Sequence, residues 1–189
     1  MGLPQQRIHI RQAEPGDHRR IASLGRESFR DSFAADNHPQ DMADYLARSF
    51  RPEIQAAELA EPSSCFLIAQ AGKQAVGYAR LVEATPPPCI AASRPIKLER
   101  LYAKKSWLGS GVGAALMRAC IAEARRRPCD GLWLGVWGRN ERAIRFYRQW
   151  GFGQMGTQTF VLGKDRQTDL VLWLPLDTAN QNEKQEGRS

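Results

Sequence analysis

Apolar positions recur with two periods along this 189-residue chain, and the switches between them mark its elements. Alternation over residues 7–10 predicts a short opening strand. Glu14, Pro15, Gly16 and Asp17 read as a turn, with Asp17 placed to cap the helix that follows. Ile21, Leu24, Ser28 and Phe29 then fall at helical spacing in a stretch running to Ala35. Met42, Tyr45, Leu46 and Phe50 do the same after Pro39, and Pro52 opens a third helix ending near Pro62. Residues 65–69 and 75–82 read as strands around a turn at Gly72. Pro86, Pro87 and Pro88 mark a surface loop, and residues 97–103 read as another strand.

The later half repeats this change of period. Residues 111–127 predict a helix with Val112, Leu116, Ala119, Cys120 and Ala124 facing inward. Three arginines fill its last turn, where cations suit the helix dipole, and Pro128 follows. An apolar strand at 132–137 precedes a helix at 140–150 ended by Gly151, and residues 152–162 and 168–174 form a closing hairpin. This order predicts a single-domain mixed α/β (α+β) fold over residues 1–176. Its central sheet is mostly antiparallel, flanked by helices, with at least one βαβ crossover. The polar residues 177–189 read as a disordered tail.

Composition narrows the class. The chain is 42% hydrophobic and 25% charged, in the range of ordinary globular domains. No apolar run approaches the roughly 18 residues a membrane span needs, and the first residues hold no apolar signal core. Cys65, Cys89, Cys120 and Cys129 form no C-x-x-C pair and no zinc spacing with the three histidines. The reading is reduced thiols, a cytoplasmic location and no metal. The net charge of +7 is unevenly spread. Residues 94–148 hold thirteen Lys/Arg against four Asp/Glu, whereas residues 27–44 hold five acids against one Arg. Such segregation suits an anionic ligand on the second half and a cationic one near the first, or simply two solvated faces. No aromatic–basic repeat or zinc finger points to nucleic acid.

The basic half contains three glycines in five positions, Gly109, Gly111 and Gly113, between the strand at 97–103 and a helix. Glycines allow positive φ and close approach of several N–H groups to an anion, and the helix N-terminus adds partial positive charge. A triphosphate loop, G-x-x-x-x-G-K-S/T, is excluded because Ala114 and Ala115 follow Gly113. Gly109, Gly111 and Ala114 match G-x-G-x-x-G/A, but the next strand ends in Trp137, Gly138, Arg139 and Asn140, with no acidic ribose partner. A pyrophosphate held by backbone remains, as does a glycine turn with no ligand.

At this point the chain resembles the GNAT N-acetyltransferase superfamily. "LGSGVGAAL" (108–116) looks like its acetyl-CoA loop, Q/R-x-x-G-x-G/A, with Leu108 where the family places Gln or Arg. "NERAIRFYRQWGF" (140–152) resembles its second signature, N-x-x-A-x-x-F-Y-x-x-x-G-F. "ESFRDSFAADNHPQDMADYL", "LERLYA", "LWLGVWGRNERAIRFY" and "FVLGKDRQTDLVLWLPL" together look like the PaiA type, associated with polyamines.

The resemblance implies transfer of the acetyl group of acetyl-CoA to a primary amine by direct attack in a ternary complex, the amine being a polyamine or diamine. A protein or peptide amine and a non-catalytic CoA-binding regulatory module are the alternatives. It further implies a cofactor site built from Leu101, Tyr102, Ala103, Leu108, Gly109, Ser110, Gly111, Val112, Gly113, Ala114, Asn140 and Tyr147. In it, Tyr147 protonates the departing thiolate and the backbone of 101–103 pairs with pantetheine. Asn140 and Tyr147, seven apart on one helix, lie on one face about 10.5 Å apart. Glu99, taken to share a face with Leu101, is a candidate general base or ammonium ligand. Phe29 and Phe33 are candidate acceptor-lining residues, with Glu27, Asp31, Asp36 and Asp44 to hold a polycation. His9, His18 and His38 are all N-terminal, which argues against a covalent triad mechanism. A homodimer is a family expectation.

Overall fold

The computed structural model describes residues 7–176; the tail expected at 177–189 lies outside the described residues. Seven strands form one sheet in the order β1-β2-β3-β4-β5-β7-β6. They are β1 (Ile8–Gln12), β2 (Ser64–Ala71), β3 (Gln74–Glu83), β4 (Pro95–Ala103), β5 (Gly131–Trp137), β6 (Gly153–Leu162) and β7 (Asp165–Pro175). Five helices accompany them: α1 (His18–Phe33), α2 (Pro39–Ser49), α3 (Pro52–Ala60), α4 (Val112–Arg125) and α5 (Glu141–Gln149). The mixed, mostly antiparallel sheet flanked by helices is the architecture the order of periods predicts.

Two cores hold the layers together. Val112, Leu116, Met117, Cys120 and Ala124 of α4 and Ile144 of α5 are buried against Leu81, Leu98, Leu134 and Leu172 of the sheet. On the opposite face, Ile21 and Leu24 of α1 pack on Phe66, Ile68 and Tyr78, while Phe29, Met42, Leu46 and Phe50 cluster with Leu162. A buried ionic network fastens α3 to this second face. Glu58 takes Arg80 at 2.8 Å and Arg100 through two hydrogen bonds, and fully buried Gln55 accepts from Arg100. Pairing within the network is what makes such charges tolerable in the interior.

Asp17 corrects an expectation. It precedes α1 but its carboxylate does not cap the helix. Both oxygens are engaged instead by Arg11 at 2.6 and 2.9 Å and Arg20 at 2.7 Å, with the Glu14 N–H donating at 2.9 Å. The nearby guanidiniums outcompete the helix amides, because charge-assisted bonds are roughly twice as strong as neutral ones.

Two irregularities open the sheet at its centre. β4 and β5 are parallel and pair only at Pro95↔Gly131, Ile96↔Leu132 and Lys97↔Trp133. Beyond Lys97 they diverge, so the edge of β4 facing β5 has no strand partner over residues 98–103. At the same place the register of β4 against β3 passes from Leu98↔Leu81 to Arg100↔Arg80, which makes Glu99 the extra residue of a β-bulge. The bulge overturns the expectation that Glu99 and Leu101 share a face. Glu99 pairs with Lys97 at 2.6 Å, while Leu101 packs toward the α4 core.

Candidate active site

The gap between β4 and β5 leads into a cleft of about 620 Å³, running from the start of α4 to the aromatic cluster under α1 and α2. At one end lies the glycine turn. Gly109 and Gly111 have φ of +81° and +89°, a left-handed backbone that side chains resist, and a Cβ on either would point into open space. Gly111 is the N-cap of α4 and offers no side chain, and the first intrahelical bond runs from the Ala115 N–H to the Gly111 carbonyl. The amides of Val112, Gly113 and Ala114 therefore stand at the helix N-terminus without intrahelical acceptors. The Ser110 hydroxyl donates to the Trp107 carbonyl at 2.6 Å, tying the glycine turn to the short 3-10 turn (Lys105–Trp107) before it. Leu108 is exposed, at 41%. The arrangement fits a pyrophosphate held by backbone N–H groups and helix dipole.

The middle of the cleft is lined by Leu101, Tyr102 and Ala103 of β4 on one side and Val136, Trp137 and Asn140 on the other. The Asn140 side-chain oxygen Oδ1 accepts from the Ala143 N–H at 3.1 Å, capping α5 and leaving its side-chain amide NH2 to donate elsewhere. Tyr147 lines the cleft one helix length on, wedged between Phe146 and Phe152. Burial pushes its phenol pKa up, so it stays protonated throughout the neutral range.

The far end is aromatic. Phe29 packs on Phe33 at 4.6 Å and on Tyr45 at 4.5 Å, Phe33 meets Trp137 edge-on, and Phe160 closes the ring of side chains against Tyr45. Both Phe29 and Phe33 serve the packing and the lining at once. Glu99 reaches the cleft, but its charge is matched by Lys97, which itself lies over the Trp133 ring at 5.0 Å.

The four acids expected to hold a polycation are not brought here. Glu27 turns to Lys104 at 3.2 Å, the Gln40 amide donates to Asp44 at 3.0 Å, and Asp31 and Asp36 are exposed outside the lining. They crowd one stretch of sequence, but all four are exposed and none lines the cleft. Several lining residues were given no site role from the sequence. Among them are Arg142 in the first turn of α5 and Asp169 of β7, whose side chain sits beside Gly135 and Gln158. Asp169 falls in the Gln167, Thr168, Asp169 triplet of the PaiA-like stretch, and aspartate is disfavoured within a strand.

Comparison with known proteins agrees with this geometry. Residues 25–152 match the acetyltransferase (GNAT) family, and the chain belongs to it. An uncharacterized N-acetyltransferase in the pepI 3′ region of Lactobacillus delbrueckii subsp. lactis is 33% identical over 165 residues, covering 87% of this chain and 95% of that one. Among solved structures, the PaiA N-acetyltransferase of Thermoplasma acidophilum in complex with coenzyme A superposes with a TM-score of 0.75 at 19% identity. It covers 90% of this chain and 99% of that one. NAA60 of Arabidopsis thaliana in complex with a bisubstrate analogue superposes at 0.69 with 14% identity, over 92% and 100% of the two chains. Among the described residues, no three His, Cys, Asp or Glu side chains lie together as a metal site, and no helix is long and apolar enough to cross a membrane.

Proposed function

We propose that the protein transfers the acetyl group of acetyl-CoA to a small primary amine by direct attack within a ternary complex. One observation carries the reading: the divergence of β4 from β5 joins the glycine turn and the aromatic chamber into one continuous cleft. The amides of α4 take the pyrophosphate, with Arg142 beside them, and the unpaired edge of β4 takes pantetheine as an added strand. Thioester and amine then meet where the strands part. An N–H of residues 101–103 stands where negative charge develops on the thioester oxygen. Tyr147, kept protonated by burial, donates to the departing thiolate.

The acceptor is a diamine or polyamine. The rings of Phe29, Phe33, Tyr45, Trp137 and Phe160 suit a methylene chain, and aromatic faces also attract a second ammonium. Support comes from the PaiA-like sequence motifs together with this chamber. The test offers acetyl-CoA with putrescine, spermidine, lysine or a mixed peptide pool and identifies the product by mass. Monoacetylated putrescine or spermidine is the expected product. Acetylation confined to peptides would replace the diamine with a peptide amine. No acetylated product from any amine, despite acetyl-CoA binding, would mark a non-catalytic CoA-binding module.

A further inference from the structure

Asp169 is the one carboxylate in the acceptor half of the cleft that has no ion pair among the described residues. It is 8% exposed, yet it lines the cavity. Its position depends on three strands. On β7 it pairs with Trp137 of β5 and with Gln158 of β6, in the middle strand of the sheet's three-stranded half. Room for its side chain comes from Gly135. A Cβ on that residue would stand 3.2 Å from Asp169 Oδ2 and would overlap the Gln158 amide. A glycine in the middle of a strand costs conformational entropy and offers nothing to packing. Here it leaves space for a carboxylate and an amide at the floor of the cleft.

We propose that Asp169 accepts the proton of the acceptor's ammonium group, a catalytic assignment that rests on the amine-transfer reading above. The amine enters as R–NH3+ and binds against the Asp169 carboxylate, and one N–H bond breaks to leave a protonated Asp169. The freed lone pair forms the C–N bond at the thioester carbonyl carbon, and the C–S bond breaks. The thiolate takes a proton from Tyr147, which recovers it from the acetylated nitrogen. Asp169 then returns its proton to water through the cleft mouth, so one amine proton is released per turnover.

The surroundings favour this carboxylate over Glu99. Glu99 is already paired with Lys97, whereas burial lifts Asp169 to a pKa of about 6 against the opposing pull of Lys97 and the Gln158 side chain. Asp169 therefore holds a proton about a hundredfold more tightly than an ordinary aspartate. It remains ionised and ready above neutrality. The charged groups acting on it are few. β4 presents Lys97 with its partner Glu99, β5 presents Gly135 without charge, and β6 presents the Gln158 amide. The wall of α1 and α2 presents rings, of which Tyr45 alone titrates; Tyr147 of α5 and Tyr102 of β4 line the same cleft, and burial pushes all three phenols up.

The test compares wild type with Asp169→Asn and Asp169→Glu, using spermidine-dependent thiol release across pH 5 to 9, with acetyl-CoA affinity measured separately. The expected result is a kcat loss of about a hundredfold or more in Asp169→Asn. The fall of kcat/KM on the acid side of about pH 6 should disappear with it, acetyl-CoA affinity should hold within twofold, and Asp169→Glu should restore part of the rate. A raised KM with kcat and the acid limb intact would make Asp169 an ammonium anchor only and overturn the assignment. So would an unchanged Asp169→Asn. Wild-type protein that releases no thiol with any amine would instead overturn the reading on which the assignment rests.

Discussion

The side chains at the cleft carry out opposite electrostatic tasks, and burial sets each one. Tyr147 sits among Phe146 and Phe152, and burial keeps it protonated, as its proposed role of proton donor requires. Tyr147→Phe keeps the ring packing and removes only the hydroxyl. Its kcat should fall by about a hundredfold while acetyl-CoA affinity, measured by calorimetry, stays within twofold. A shift in affinity with kcat intact would mean that the hydroxyl binds rather than donates. Asp17 shows the reverse effect far from the cleft. Arg11, the Glu14 N–H and Arg20 hold its pKa at about 2 despite burial. Because the folded value lies below the unfolded one, this stabilisation is complete above about pH 4 and is lost as pH falls toward 2. Asp17→Asn should cost about 1–2 kcal/mol in urea unfolding at pH 7, and the gap from wild type should close near pH 2.

At the scale of elements, the glycine turn and α4 form one device. The left-handed Gly111 both ends the turn and caps the helix. An alanine there would have to hold φ near +89°, which costs about 1–2 kcal/mol. Gly111→Ala should therefore lower stability by about 1 kcal/mol and weaken acetyl-CoA binding about tenfold, through displaced amides. A variant with unchanged affinity would remove the turn from the anion site. The glycine turn, both signature helices and the order of strands were legible in the sequence, because they rest on local chemistry and period. The bulge was not. Leu98, Glu99, Arg100 and Leu101 carry no Gly or Pro, and only the pairing with β3 reveals the extra residue. Asp169 was legible as part of a PaiA-like stretch, but its place in the cleft was hidden for a related reason, since its neighbours Gly135 and Gln158 lie on other strands. The acids of residues 27–44 misled because nearness along the chain does not make a common face.

Over the whole molecule, the sheet is closed by hydrogen bonds everywhere except at its centre. Seven strands are continuous in order, yet β4 and β5 touch over only three residue pairs. The edge of β4 without a strand partner is polar backbone lining the cleft, which the proposed cofactor arm would complete, and both faces around it are fixed by separate cores. The cleft is therefore preformed, with the proposed anion end on the basic half of the chain and the proposed acceptor end among aromatic rings.

One consequence separates this architecture from a covalent relay. In the proposed mechanism both substrates occupy the cleft together, and the histidines of the chain lie outside its lining. The most direct test is the initial rate of thiol release with acetyl-CoA and spermidine varied against each other. Intersecting double-reciprocal lines, with no acetyl group left on the protein after incubation with acetyl-CoA alone, are the predicted result. Parallel lines with an acetylated protein would contradict it.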